Sequence, residues 1–190
     1  MSSPADRIPG RLADGMPPVV LGVALFVASE CVFFSALFAA WFTARARSPQ
    51  WPPGGIQIDP SLGLLTSSLL VLSSVVVAFA EYALRRQDAA GMRRLLWLGI
   101  LLGVVAVLGQ ALHLAGLPFT ISSSGFGTIY WTTSAIDSAH VVGAVVFALV
   151  VLARSYSGRL TPALLRGAAV FWHFIVGVSI FTFLVLEVLT

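Results

Sequence analysis

The sequence has few charges, one cysteine and no lysine, and each of these shortages excludes a class of protein. Charged residues make up 10% of the 190 residues and hydrophobic residues 58%, a balance that an ordinary soluble domain does not have. The single cysteine, Cys31, cannot form an intrachain disulfide, and a Cys-rich metal site is excluded. All the basic residues are arginines. The composition predicts an all-α integral membrane protein.

The sequence also lacks the motifs of soluble enzymes. It contains no nucleophile–base set, no phosphate-binding loop and no dinucleotide fingerprint. The net charge of +3 comes from arginines in predicted loops, so it indicates membrane topology rather than nucleic acid binding. No long apolar run precedes Pro17, and we therefore expect residues 1–16 to be a polar lead on the cytoplasmic side rather than a cleaved signal peptide.

Five long apolar stretches follow this lead. Turn-forming residues, among them the run Trp51-Pro52-Pro53-Gly54-Gly55, separate the first two stretches. A charge-free segment over 95–136 is longer than one span needs, and Pro118 with the run 122–127 divides it. Thr161 and Pro162 are a favourable helix start. We predict one five-helix membrane domain over 17–190, with spans at about 17–43, 62–84, 95–117, 128–153 and 166–188.

The arginines predict the orientation of these spans. An odd number of crossings places the two termini on opposite sides of the membrane. Nine arginines fall on the N-terminal side, and only Arg45 and Arg47 fall on the other. The positive-inside rule then places the N-terminus in the cytoplasm and the C-terminus outside. All five tryptophans lie at or near predicted span ends, which suggests an aromatic belt at the membrane interfaces.

Ionisable residues inside membrane spans are functional candidates by default. Glu30 is the only charged residue between Asp14 and Arg45 and falls near the bilayer midplane. A bare carboxylate there costs roughly 2.5 kcal/mol or more, so Glu30 should be protonated or should face a partner helix. Glu187 near the end of the fifth span is predicted to be interfacial. The remaining polar candidates are Gln110 and His113 in the third span, Asp137 and His140 in the fourth, and His173 in the fifth.

Metal binding, helix packing and proton transfer are three alternative roles for these residues. Asp137 and His140 have the i, i+3 spacing of half a carboxylate-bridged metal site. The residue count, however, places the three histidines at different depths, because a helix rises ~1.5 Å per residue. We therefore expect no metal site. We predict that Glu30, Asp137 and His140 approach one another as polar contacts between helices. A stand-alone proton carrier that uses Glu30 remains an alternative.

Five stretches, in order along nearly the whole chain, carry a family resemblance. They are Ser29-Glu30-Cys31-Val32-Phe33-Phe34, Trp51-Pro52-Pro53-Gly54-Gly55-Ile56, Pro118-Phe119-Thr120-Ile121-Ser122 with Gly125-Phe126-Gly127-Thr128, His140-Val141-Val142-Gly143 and Trp172-His173-Phe174. The ordered set resembles subunit III of the haem–copper cytochrome c oxidases. The chain starts near that family's third helix, so it is similar to the short, five-helix form.

The chain departs from the family pattern at three positions. Asp137 stands where the family usually has His, His113 where it usually has Glu, and Val176 where it usually has Asp. A ubiquinol oxidase subunit III or the related subunit of nitric oxide reductases is therefore an alternative. The Trp-Pro-Pro loop favours the cytochrome c oxidase branch.

The resemblance implies an oxidoreductase subunit with no active site of its own. Haem and copper are expected in partner subunits and not in this chain, within a complex that carries electrons from cytochrome c to oxygen and moves protons. Oxidase subunit I is the main expected partner, together with other oxidase subunits and phospholipid. The family's subunit III supports the stability and proton uptake of subunit I, and its counterpart of Glu30 is a membrane-buried carboxylate linked to proton behaviour. The expected location is the bacterial cytoplasmic membrane.

Overall fold

Residues 15–189 are described by a computed structural model, and within that range the chain is helical and has no strand. Each of the five long helices is long and apolar enough to cross a membrane, the fifth together with the π-helical turn that continues it. The predicted all-α, five-span fold is confirmed; nearly all of the predicted polar lead lies outside the described residues. The helices are α1 (Pro18–Arg47), α2 (Ser61–Arg85), α3 (Ala89–Ala115), α4 (Gly125–Tyr156) and α5 (Pro162–Phe183), with a 3₁₀ turn at Pro53–Gly55 and a π-helical turn at Leu184–Val188.

Capping residues set the helix starts, and they extend three helices beyond the predicted apolar spans. The Asp88 side chain accepts a hydrogen bond from the Gly91 amide at 2.7 Å, so α3 begins six residues earlier than predicted. Ser124 caps α4 in the same way. Thr161 caps α5 ahead of Pro162. A cap satisfies an amide that the helix itself leaves free, which stabilises a first turn that need not be apolar.

The helix α5 forms the centre of the bundle and contacts α1, α2 and α4. Half of its most apolar 18-residue window is buried, against 11% for α1, which is the least buried of the five helices. Trp172 shows why α5 is central: its ring packs on α3 at Gly103, and its indole nitrogen donates to the Ser73 hydroxyl on α2 at 3.0 Å. Gly103 therefore provides space for a large side chain from another helix.

Two tryptophans are buried between helices. Trp172 is 2% exposed and Trp41 is fully buried, so neither ring faces lipid headgroups as an aromatic belt would. A hydropathy pattern locates a residue along the membrane normal but does not tell whether it faces lipid or protein. Trp41 belongs to an aromatic cluster with Trp51, Phe119, Phe126 and Tyr130, in which each ring contacts at least two others. We call the end of the bundle that these five rings close the aromatic end.

Two glycines in the first turn of α4 provide a matched test of this packing. A Cβ at Gly127 would clash with the carbonyl oxygen of Thr120, whereas a Cβ at Gly125 would meet nothing within 4 Å. We expect Gly127→Ala to destabilise the fold by about 1–3 kcal/mol, because the clash is with backbone that cannot move freely. Gly125→Ala should be neutral or stabilising by up to ~1 kcal/mol. Thermal unfolding of the detergent-solubilised protein measures both; equal midpoints for the two variants would contradict the close approach.

Candidate functional site

Glu30 on α1 and His140 on α4 form a contact in the middle of the bundle. Glu30 Oε2 lies 3.0 Å from His140 Nε2, and the two side chains are only 15% and 19% exposed. The predicted approach of these two residues is confirmed, and the carboxyl group faces a partner helix rather than lipid. The rings of Phe33 and Phe34 lie beside the imidazole, Phe34 at a centroid distance of 5.1 Å. Two apolar rings of α1 thus border this polar contact.

The hydrogen bonds of His140 fix how the pair can hold protons. His140 Nδ1 is 2.8 Å from the carbonyl oxygen of Ile136. A carbonyl only accepts, so Nδ1 carries a hydrogen. The remaining proton is then shared: either a neutral carboxyl group donates to Nε2, or an imidazolium donates to the carboxylate. Both forms have no net charge, which avoids the cost of a lone carboxylate in hydrocarbon.

Asp137, the third member of the predicted cluster, is hydrogen-bonded elsewhere. Its Oδ1 accepts from the hydroxyl of Ser179 on α5 at 2.9 Å, and the residue is 8% exposed. Among the described residues, no hydrogen bond or ion pair joins it to Glu30 or His140. Residues three apart on a helix differ by about 60° around its axis. That rotation lets α4 present His140 to α1 and Asp137 to α5.

A second buried cluster lies beside the aromatic end. His113 Nε2 is 3.0 Å from the Tyr130 hydroxyl and 3.4 Å from Glu187 Oε1. The Glu187 side chain is 5% exposed, so the prediction that it is interfacial is wrong. The π-helical turn Leu184–Val188 carries Glu187 inwards, and its hydrogen bond runs from the Leu189 amide to the Leu184 carbonyl at 2.9 Å. A π turn has no sequence signature, and for this reason the inward position of Glu187 does not follow from the sequence. Tyr130, on α4, is a member of the cluster that is not among the residues predicted from the sequence.

Gly63 on α2 makes room for the Glu187 carboxyl group. A Cβ built on Gly63 would lie 2.6 Å from the carboxyl carbon of Glu187, well inside van der Waals contact. The absent side chain therefore lets the carboxyl group lie directly against the backbone of α2. Arg45 at the end of α1 donates to the carbonyl oxygen of Leu189, just beyond the π-helical turn. The last residues of the described chain are thus held by both α1 and α2.

The other two predicted candidates, His173 and Gln110, occupy separate places. His173 Nδ1 lies 2.6 Å from the Ser74 hydroxyl on α2. Gln110 lines a small, partly open polar pocket of about 30 Å³ between α2, α3, α4 and α5, together with Asp137 and Glu187. The six predicted residues are therefore distributed over several polar contacts instead of one site.

These polar residues suit hydrogen bonding between helices and the holding of protons. Over residues 15–189, no group of three or more His, Cys, Asp and Glu side chains could hold a metal ion together. Each histidine has its own partner on another helix: His113 has Tyr130, His140 has Glu30 and His173 has Ser74.

Comparisons with known proteins agree with the family resemblance. A model of the family "Cytochrome c oxidase subunit III" matches residues 13–189. The chain is 35% identical to cytochrome c oxidase subunit 3 of Corynebacterium diphtheriae over 83% of its own length and 81% of that protein. It is 29% identical to cytochrome c oxidase subunit 3 of Thermostichus vulcanus over 90% of its own length and 87% of that protein. It is also 31% identical to the subunit 3 of Neurospora crassa, of which it covers 65%.

The family match runs through every helix and through both polar clusters, and five helices suited to crossing a membrane carry them. The chain therefore belongs to the cytochrome c oxidase subunit III family, as a multi-pass membrane subunit of a haem–copper oxidase complex.

Proposed function

We propose that this subunit supports a catalytic subunit I, to which it is bound, and that it has no redox centre of its own. In this proposal haem and copper belong to partner subunits, and the chain contributes stability and proton supply. The three histidines support the proposal that the chain has no redox centre. Each contacts a side chain of another helix, and the three lie on three different helices, α3, α4 and α5. Only 11% of the most apolar 18-residue window of α1 is buried, so most of its apolar surface is available to a partner subunit or to lipid.

The Glu30–His140 pair is the observation that carries the proton role. The two titratable groups lie 3.0 Å apart and are largely shielded by protein, an arrangement in which they can share one proton. When such a pair gains or loses a proton, its net charge changes by one unit. A compensating charge change in the partner subunit would avoid an isolated charge in hydrocarbon. It lies on α1, the helix with the most surface left uncovered by this chain. We therefore propose that it holds protons close to the catalytic subunit.

We further propose a bacterial cytoplasmic membrane location, with the N-terminus inside. Seven of the eleven arginines lie in the α2–α3 and α4–α5 connections or in the helix ends beside them, at the end of the bundle opposite the aromatic end. An excess of arginine marks the cytoplasmic side of a membrane protein.

A groove between α1 and α2, with α5 as its floor, has the chemistry to bind a phospholipid, which is the other partner we propose. Its part near the arginine-rich end has a volume of about 750 Å³ and is lined by two arginines, Arg85 and Arg166, and by one acid, Glu81, which lies 3.9 Å from Arg85. A second part of about 460 Å³ is lined mainly by aromatic and apolar side chains of α1 and α5. His173 lines both parts, so they are adjoining. Guanidinium groups above an apolar groove match an anionic headgroup above acyl chains.

The first test combines copurification of partner chains with the visible absorption spectrum of the chain alone. Purified from its native membrane with a tag, it should bring with it chains that contain haem and copper. Expressed and purified alone, it should have no haem absorption band in the visible spectrum. A haem band in the lone chain would contradict the proposal. Proton flux through vesicles that contain the lone chain, abolished by Glu30→Gln, would favour the carrier alternative.

Two substitutions at Glu30 separate its proton role from its packing role. An amide can still hydrogen-bond to His140 but cannot exchange a proton, so Glu30→Gln should lower proton uptake during turnover of the vesicle-reconstituted complex while changing stability by less than about 1 kcal/mol. Glu30→Leu should also destabilise the subunit by about 1–3 kcal/mol, because it leaves a buried imidazole nitrogen unpaired.

Ser29→Ala is the matched control for both measurements. Ser29 is the exposed neighbour on the same helix, and its hydroxyl donates to the Phe26 carbonyl of α1. Unchanged uptake in Glu30→Gln, combined with instability of Glu30→Leu, would show that the pair is only structural.

Removal of the two groove arginines should release lipid. Each arginine near an anionic headgroup contributes about 1 kcal/mol, so the double variant Arg85→Gln, Arg166→Gln should weaken phospholipid binding about 30-fold. Native mass spectrometry of the purified complex counts the retained lipids. Arg94→Gln is the control, because Arg94 is exposed at the same end of the bundle and does not line the groove. Equal lipid retention in the double variant and the control would contradict the groove as the binding place.

A further inference from the structure

Asp137 is a buried acid that takes no part in the Glu30–His140 pair. The residue is 8% exposed and lies well inside α4, several turns from either end of the helix. Ser179 donates to its Oδ1 at 2.9 Å. Among the described residues, no other hydrogen bond or ion pair involves the Asp137 side chain. The second oxygen of the carboxyl group, Oδ2, is therefore left without a protein partner.

Asp137 Oδ2 differs from the sealed oxygen atoms of the bundle, because it keeps a small surface that water can reach. Over residues 15–189, the atoms that are both unpaired and inaccessible include Glu187 Oε2 and Thr182 Oγ1 but no atom of Asp137. Asp137 lines the polar pocket between α2, α3, α4 and α5, whose volume of about 30 Å³ exceeds the ~10–15 Å³ that one water requires. The carboxyl group thus has one bonded oxygen and one that is open towards the pocket.

The Ser134 hydroxyl has the same character one turn earlier on α4. Ser134 is 2% exposed and lines the pocket, and its hydroxyl has no hydrogen-bond partner in the described chain but is not sealed from water. Residues three apart lie on one face of a helix, so this hydroxyl and the Asp137 carboxyl group point the same way. The Gln110 amide of α3 lines the same pocket. A water molecule in the pocket therefore has donors and acceptors beside the acid.

No positive charge is in place to balance an ionised Asp137. The arginines of the described helices lie near the helix ends, and none lines the pocket. The titratable groups nearest to Asp137 are His140 of α4, whose Nε2 faces Glu30 of α1, and Glu187 on the pocket wall; the residues of α2 and α3 that line the pocket carry no charge. A lone carboxylate inside a span is costly, so the carboxyl group keeps its proton. Because Oδ1 accepts from Ser179, this proton belongs on Oδ2.

We infer that Asp137 is a second proton-binding site of this subunit, a neutral carboxyl group whose proton exchanges with water through the pocket. In each exchange the Oδ2–H bond breaks as the proton passes to a water molecule, and a proton of that water returns to the carboxyl group. The group is neutral before and after, so no charge is left in hydrocarbon. The site is separate from the Glu30–His140 pair, since no hydrogen bond or ion pair among the described residues joins them, and it does not depend on the function proposed for that pair.

Infrared difference spectroscopy of the intact oxidase complex tests the site. Subtracting the spectrum of Asp137→Asn from that of the unsubstituted complex should leave one band of a protonated carboxyl group, because the amide can keep the Ser179 hydrogen bond but has no acidic proton. Transfer to heavy water should shift this band, since a deuteron replaces the proton. Ser138→Ala is the matched control, because Ser138 lines the same pocket but its hydroxyl donates to the Ser134 carbonyl. In this control the band should remain and should still shift.

The absence of the band would overturn the inference, and so would a band that does not shift during prolonged incubation in heavy water. If Asp137→Asn does not assemble into the complex, Asp137→Glu replaces it. That variant keeps an acid at the position and should move the band without removing it, so an unmoved band would count equally against the site. Glu30→Gln should leave the Asp137 band unchanged whatever it does to proton uptake, and failure of one proposal is thereby distinguished from failure of the other.

Discussion

The cost of an unpaired polar group in hydrocarbon is the constraint on which this fold depends. Lipid offers no hydrogen bonds, so a carboxyl, imidazole or indole group within a span must find its partner in another helix. Glu30 shows how the constraint is met: it lies 3.0 Å from His140, where one proton between the two groups would leave the pair without net charge. The pair also determines which face of α1 meets α4, although apolar surface is available all around α1.

Similar contacts link most neighbouring helices of the bundle. Asp137 and Ser179 join α4 to α5, and Trp172 and Ser73 join α5 to α2. Arg93 near the start of α3 donates to the Ser155 hydroxyl and carbonyl near the end of α4. In lipid, apolar burial does not distinguish one helix face from another, because the tails are as apolar as the side chains. Small residues such as Gly103 allow close approach, and the hydrogen bonds select the arrangement.

The sequence pattern predicts the helices of this structure better than it predicts the contacts between them. The five spans follow from apolar runs interrupted by proline, glycine and arginine, and the start of α5 follows from Thr161 and Pro162. The contact between Glu30 and His140 is predicted from depth in the membrane alone, because both residues fall near the middle of their spans. Depth alone does not predict that Trp172 faces the core or that Asp137 hydrogen-bonds to Ser179, because both depend on the rotation of each helix about its axis.

The π-helical turn at Leu184–Val188 has a consequence for length changes at this end of the chain. Each residue of an α-helix advances the side chains by about 100°, so the wider turn sets the direction of everything that follows it. Regular α-helical geometry with the same number of residues would rotate Glu187 away from Gly63 and His113, because each residue would then turn further around the helix axis. Homologous subunits that keep an acid at this position are therefore expected to keep the spacing of this segment as well.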